Sequence, residues 1–114
     1  MIEELPAGAA LLIVTRGPTA GSRFVLDRPM LTVGRHTEND IVLDDVTVSR
    51  RHAEFHRRDG GFVVHDVGSL NGTYVNREPV AEATLSSGDV VQIGKFGLLY
   101  LSRQSSTSSP AGLQ

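Results

Sequence analysis

Residues 46–67, VTVSRRHAEFHRRDGGFVVHDV, alternate apolar and polar side chains in runs that are broken twice, each time by a different kind of interruption. AEFHRR (53–58) and GFVVHDV (61–67) show the period of two that buries one face of a strand. Asp59-Gly60-Gly61 between them is a turn signal, because glycine accepts the left-handed backbone that a tight reversal demands. The two runs therefore read as an antiparallel hairpin whose solvated end is Arg57-Arg58. The earlier break, Ser49-Arg50-Arg51-His52, is different: a hydroxyl and two guanidiniums are more than a turn requires.

The same pattern extends in both directions. ALLIVTRG (10–17), SRFVLD (22–27), MLTVG (30–34), DIVLD (40–44), TYVN (73–76), ATL (83–85), DVVQIG (89–94) and FGLLYLS (96–102) are short, and most carry β-branched or aromatic residues. Turn residues recur roughly every eight to twelve positions, and no window places apolar residues at helical spacing. The chain is predicted to be all-β, a β-sandwich of ten to eleven short strands over residues 10–102. Residues 1–9 read as a lead-in and residues 103–114, rich in Ser with Pro and Gly, as a flexible tail.

At 114 residues one domain is expected, burying about two thirds of the surface of its unfolded chain. The chain has no cysteine, which removes disulfides and thiolate metal sites and fits a reducing compartment. Its start, MIEELPAGAALLIV, is acidic and lacks a basic leader, so a signal peptide, a membrane span and a membrane partner are not expected. The protein reads as soluble and cytoplasmic.

A net charge of −2 gives no general attraction to polyanions. Between residues 34 and 77 six arginines face seven acids, so no continuous basic stripe forms and nucleic acid is not an expected partner. An anion would have to be caught locally, and ten of the eleven basic residues are arginine, the side chain whose fork fits phosphate.

Three loops carry residues suited to that chemistry. Gly34-Arg35 projects an arginine from the end of MLTVG. Ser49-Arg50 offers a hydroxyl and a guanidinium to one tetrahedral anion, with His52 bracing the loop. Asn71-Gly72 is a turn signal whose side-chain amide supplies an acceptor and two donors, the set needed to hold the main chain of an extended peptide.

Gly34-Arg35, Ser49-x-x-His52 and Asn71-Gly72, in this order on an all-β chain, resemble the signature of the forkhead-associated (FHA) domain. The longer runs GRHTENDIVLDDVTVSRRHAEF, DVGSLNGTYVNREPV and GDVVQIGKF are similar to the small actinobacterial GarA-like FHA regulators. This resemblance implies a β-sandwich whose loops bind phosphothreonine peptides, with Arg35 and Ser49 on the phosphate, Arg50 adding a contact, and Asn71 on the peptide main chain. Gly34, His52 and Gly72 match the positions that shape the loops. Implied partners are phosphothreonine-containing proteins, a Ser/Thr protein kinase and 2-oxoglutarate-using metabolic enzymes, in a pathway regulating 2-oxoglutarate and glutamate metabolism. The alternative is a phosphorylation-independent protein–protein module using the same loops. Relatives carry a threonine-bearing N-terminal segment that occupies their own site when phosphorylated. The first threonine here is Thr15, in a predicted strand, so self-inhibition is either absent or lies outside this sequence.

Other classes fit less well. HAEFH (52–56) places its glutamate one position late for a zinc protease and sits in a strand pattern, so neither a metal nor a cofactor is expected. Ser49, His52 and Asp66 could be drawn as a triad, but there is no nucleophile-elbow context, and no enzymatic activity is expected. The six aromatics fall mostly at core-like positions, which disfavours a sugar-binding platform.

Overall fold

A computed structural model describes residues 5–103. Eleven strands follow one another: β1 (Ala10–Arg16), β2 (Arg23–Leu26), β3 (Met30–Gly34), β4 (Ile41–Val42), β5 (Ala53–Arg58), β6 (Gly61–Asp66), β7 (Thr73–Val75), β8 (Glu78–Pro79), β9 (Glu82–Thr84), β10 (Val90–Ile93) and β11 (Phe96–Ser102). They form a six-stranded sheet of order β2-β1-β11-β10-β7-β8 and a five-stranded sheet of order β4-β3-β5-β6-β9. Among the described residues only β3 and β4 pair in parallel. No helix forms among the described residues, so none is long and apolar enough to cross a membrane. The all-β sandwich expected from the alternation is the architecture observed.

The core lies between the two sheets and follows from the period-two pattern. β1 turns Ala10, Leu12 and Val14 inward to meet Leu98 and Tyr100 of its neighbour β11, while β5 and β6 supply Phe55, Phe62 and Val64 from the opposite sheet. On the outer face of β5, Glu54 and His56 bond to each other at 2.8 Å. The hairpin joining β5 to β6 pairs Arg58 with Gly61, which leaves Asp59 and Gly60 as a two-residue turn with φ of 54° and 83°. Arg57 lies over the Phe62 ring, 5.8 Å from its centroid.

Two local features depart from the sequence reading, and a third is added by the topology. DIVLD keeps only Ile41–Val42 as strand, because Asp40 is held by Thr32 on one side and the chain turns away at Asp45 on the other. β8 is an additional strand, joined to β7 by the turn Asn76-Arg77 at φ of 51° and 74°. Asn71-Gly72 is not a hairpin turn. Only Gly72 has a positive φ, 86°, and the segment carries the chain from β6 in one sheet to β7 in the other. The expected tail falls almost wholly outside the described residues, as do the first four positions of the lead-in.

Candidate functional site

Three connections meet at one end of the sandwich: residues 35–40 between β3 and β4, 43–52 between β4 and β5, and 67–72 between β6 and β7. Hydrogen bonds tie them together. The Arg35 N–H donates to the Ser49 carbonyl at 2.9 Å, and Arg35 Nε donates to the Val48 carbonyl at 3.0 Å. The Leu70 N–H donates to Ser49 Oγ at 2.9 Å, and Asn71 Nδ2 donates to the Thr47 carbonyl at 2.8 Å.

His52, fully buried, braces this junction. Its Nδ1 accepts the Ser49 N–H at 3.1 Å and its Nε2 faces the Gly72 carbonyl at 2.8 Å. An N–H can only donate and a carbonyl can only accept, so the ring carries its proton on Nε2. Both nitrogens are thereby occupied, and neither is left for the Ser49 hydroxyl. Asp66 in turn bonds to Ser69, Thr73 and the Gly68 N–H rather than to His52. Ser49, His52 and Asp66 therefore do not form a hydrogen-bonded relay.

Gly34 explains itself by contact. A Cβ at this position would lie 2.7 Å from Asn39 Nδ2 and 2.9 Å from the Arg50 carbonyl carbon, closer than side chains tolerate. The absence of a side chain lets the Arg50 main chain pack against β3, where Asn39 Nδ2 donates to its carbonyl at 2.9 Å.

Arg35, Ser49, Arg50 and Asn71 all line one open groove of about 370 Å³, beside Val46 and Leu70. On the far side of Arg50 and Arg51 begins a hollow of about 460 Å³ flanked by His36, Glu38 and Asn39. Beyond Thr47 and Asn71 a third, of about 320 Å³, reaches Tyr74, Gln92 and Lys95. The shared residues place the three hollows side by side at this end of the molecule.

Its electrostatics favour an anion. Among the described residues no carboxylate pairs with Arg35, Arg50 or Arg51, whereas Arg28 pairs with Asp40 at 3.1 Å and Lys95 with Asp45 at 3.8 Å. The Thr47 hydroxyl and N–H, then Lys95, hold the Asp45 carboxyl below its usual range, and both bonds from Thr47 go to Asp45 Oδ2. Burial pushes the Asp66 carboxyl up, but the hydroxyls of Ser69 and Thr73 and the N–H groups of Gly68 and Ser69 outweigh it and leave the group depressed. The Ser49 hydroxyl accepts from Leu70, which leaves its own proton to give, and among the described residues the Nη groups of Arg35 and the Oδ1 of Asn71 are likewise uncommitted. No group of three or more His, Asp or Glu among the described residues is placed to hold a metal.

Two residues essential to this geometry carried no role in the sequence reading. Thr47 bonds to Asp45, Asn71 and, through its Oγ1, the Lys95 N–H, so it joins the groove to the β10–β11 turn. Asn39 bonds to the carbonyls of His36 and Arg50. Asp45-x-Thr47 has the spacing of a local side-chain-to-backbone turn, which is a legible signal. The bond from Asn39 to the Arg50 carbonyl gives none, since that partner is eleven residues away.

A family model described as the FHA domain matches residues 31–94, more than half of the chain and all three connections of the groove. The chain belongs to the FHA domain family. Within it, this FHA domain is 71% identical over 96 residues to an oxoglutarate dehydrogenase inhibitor of Corynebacterium diphtheriae, covering 84% of this chain and 67% of the relative. It is 64% identical over 108 residues to the glycogen accumulation regulator GarA of Mycolicibacterium smegmatis, covering 95% of this chain and 68% of that one. Among solved structures it is similar to Mycobacterium tuberculosis EmbR in complex with a low-affinity phosphopeptide, at a TM-score of 0.76 and 30% identity, over 89% of this chain and 26% of EmbR.

Proposed function

We propose that this FHA domain is a non-catalytic phosphothreonine reader, acting as a cytoplasmic regulator of 2-oxoglutarate and glutamate metabolism downstream of Ser/Thr kinases. In this reading Arg35 and the Ser49 hydroxyl take the phosphate, Arg50 adds charge, and Asn71 holds the main chain beside the phosphorylated residue. Gly34, His52 and Gly72 keep the three loops in register. The observation that carries it is the meeting of an unpaired Arg35 fork, a free Ser49 proton and the Asn71 amide in one groove.

A phosphothreonine has a charge of about −1.5 to −2 and three acceptor oxygens at neutral pH, which one arginine fork and a hydroxyl largely satisfy. Two or three charge-assisted bonds at roughly 1.5–3 kcal/mol each, with peptide contacts, give about −8 kcal/mol, near micromolar affinity. That strength suits a reversible signal. The name of the oxoglutarate dehydrogenase inhibitor supports a metabolic enzyme using 2-oxoglutarate as partner, the name of the glycogen accumulation regulator supports a role in metabolic regulation, and the EmbR complex supports a phosphorylated peptide as ligand.

The deciding experiment titrates the protein and its Arg35→Ala variant with matched peptides carrying phosphothreonine, phosphoserine or threonine. Binding is expected for the phosphothreonine peptide alone, with a loss of at least about 2 kcal/mol in the variant. Equal affinity for the unmodified peptide overturns this reading and favours a partner whose acidic side chains enter the same groove.

A further inference from the structure

A second pair of arginines lies away from the groove. Arg16, at the end of β1, and Arg77, in the turn between β7 and β8, line one open hollow of about 430 Å³ together with Val90 and Gln92 of β10. Among the described residues no ion pair or hydrogen bond engages either guanidinium or the Gln92 amide, and no carboxylate lines the hollow. Asp89 is taken up by Asn76 and the Ser86 N–H. Glu78 pairs with Val75, which packs against the core, so it stands on the opposite face from Tyr74 and Gln92.

Two backbone irregularities put the arginines there. The pairing of β1 with β11 shifts register after Val14, which faces Leu98, so that Arg16 faces Gly97 and Thr15 is the extra residue of a bulge. Unbroken alternation from the buried Val14 would turn Arg16 toward the core, whereas the bulge leaves it exposed. Its side chain runs beside the bare Gly97, 3.6 Å from Nε to the place a Cβ would take, on the row that continues to Gln92. Arg77 stands at φ 74°, a conformation that suits glycine and costs other residues about 1–2 kcal/mol. A cation kept at that cost, sharing a hollow with an unpaired like charge, points to a use for the side chain.

The next row of the same face is apolar. Ile13, Leu99 and Val90 pair side by side and are half-buried. Nearly every residue of β1 and β11 is apolar, on both faces, as in strands that are covered on both sides. Leu99 is two residues from Gly97, so the apolar row lies about 7 Å from the arginine row.

We propose that this outer face of the six-stranded sheet is a second docking surface, which takes an extended acidic segment of a protein partner. A Glu or Asp carboxylate sits between Arg16 and Arg77, and an aliphatic side chain two residues along the segment packs on Ile13, Leu99 and Val90. Charge complementarity names the occupant: guanidinium forks fit carboxylates, and a single pair of them is too few to hold a polyanion. The hollow is open, with both arginines exposed, so it would leave a small dianion largely in water. This surface goes beyond the phosphothreonine reading and stands without it, because Arg35, Ser49, Arg50 and Asn71 line a different groove.

The test titrates the ¹⁵N-labelled full chain with the peptide Glu-Thr-Leu-Thr-Glu-Thr-Leu-Thr, with the same peptide carrying Gln for Glu, and with glutarate, and follows the side-chain N–H signals by NMR. The acidic peptide should shift the Arg16 and Arg77 Nε–H and the Gln92 amide. Arg16→Gln and Arg77→Gln should each weaken binding about three- to fivefold, the contribution of one partly exposed ion pair. Arg35→Ala should bind this peptide as wild type does. Unchanged thermal unfolding midpoints confirm that the variants fold. Equal binding of the Gln peptide, or glutarate binding as tightly as the acidic peptide, overturns the proposal. So does the absence of shifts at these three residues, or a response confined to the groove and lost in Arg35→Ala.

Discussion

The Leu70 N–H donates to the Ser49 hydroxyl oxygen across 2.9 Å, joining two loops that lie twenty-one residues apart in the chain. In the proposed function this hydroxyl serves both as an internal acceptor and as a donor to the phosphate. Ser49→Ala removes both functions. Phosphothreonine-peptide affinity should fall by about 1.5–3 kcal/mol, the range of a hydrogen bond to a charged group, while unfolding free energy falls by no more than about 1.5 kcal/mol. Calorimetric titration beside urea unfolding checks the two effects separately. A loss of stability larger than the loss of affinity would make Ser49 a strut rather than a ligand-binding group.

His52 holds the same junction from below. In His52→Ala the Ser49 N–H and the Gly72 carbonyl lose their partners inside the protein, and a cavity replaces the ring. The expected cost is about 3–5 kcal/mol of unfolding free energy. Urea unfolding followed by tyrosine fluorescence measures it, and a cost below about 1 kcal/mol would contradict the buried bridge.

Gly34→Ala tests the close approach of the two arginine loops. The added methyl has the Arg50 main chain and Asn39 Nδ2 in its way, and Gly34 is itself buried in β3. Overpacking of this kind costs about 1–3 kcal/mol, and because the Arg50 backbone has to move, peptide binding should weaken as well. The same substitution at Gly88 meets no neighbouring atom within 4 Å, although its φ of 101° still strains an alanine. Gly88→Ala should therefore reduce stability and leave affinity unchanged, and it is the control.

The alternation that betrayed the sandwich is strong where one face is buried, as in Ala53, Phe55, Phe62 and Val64. It is silent for β8, because Glu78 and Pro79 are both exposed and the preceding turn is Asn-Arg rather than Asn-Gly. Arg35, Ser49, Arg50 and Asn71 were legible because each is a polar residue at a place where strand pattern stops. Thr47 was legible only in its local bonds to Asp45, not in those to Asn71 and Lys95, and the bond from Asn39 to the Arg50 carbonyl depends on a backbone atom brought near only by folding. Asn71-Gly72 was legible as a turn, but local turn chemistry does not reveal which sheet the next strand joins.

Acid should loosen the 67–72 loop through Asp66. Its folded carboxyl is depressed below the ordinary 3.8, with burial opposing and four hydrogen bonds prevailing. A depressed acid contributes stability that is fully present above the unfolded value and is lost as pH falls through the folded one. Asp66→Asn, which cannot accept all four bonds, should be less stable than the parent at pH 7, and the gap should begin to narrow only below about pH 4. Urea unfolding of both proteins from pH 7 to pH 2.5 tests this. A gap that is constant across the range would show that the carboxylate charge contributes nothing.

The turn between β7 and β8 makes the opposite prediction, a gain. Its two central residues, Asn76 and Arg77, both have positive φ, and only Asn76 is suited to that. Asn76 is also tied down, with Oδ1 accepting the Val90 N–H and Nδ2 donating to Asp89 Oδ1, both at 3.0 Å. Arg77 sits at φ 74°, where a Cβ costs about 1–2 kcal/mol. Arg77→Gly removes that cost and returns part of it as unfolded-chain entropy, for a net gain of about 0.5–1 kcal/mol and a melting midpoint raised by several degrees. Arg77→Ala removes the charge and keeps the Cβ, so it should leave the midpoint where it was. If alanine stabilises as much as glycine, the gain comes from charge and the backbone account of this turn is wrong.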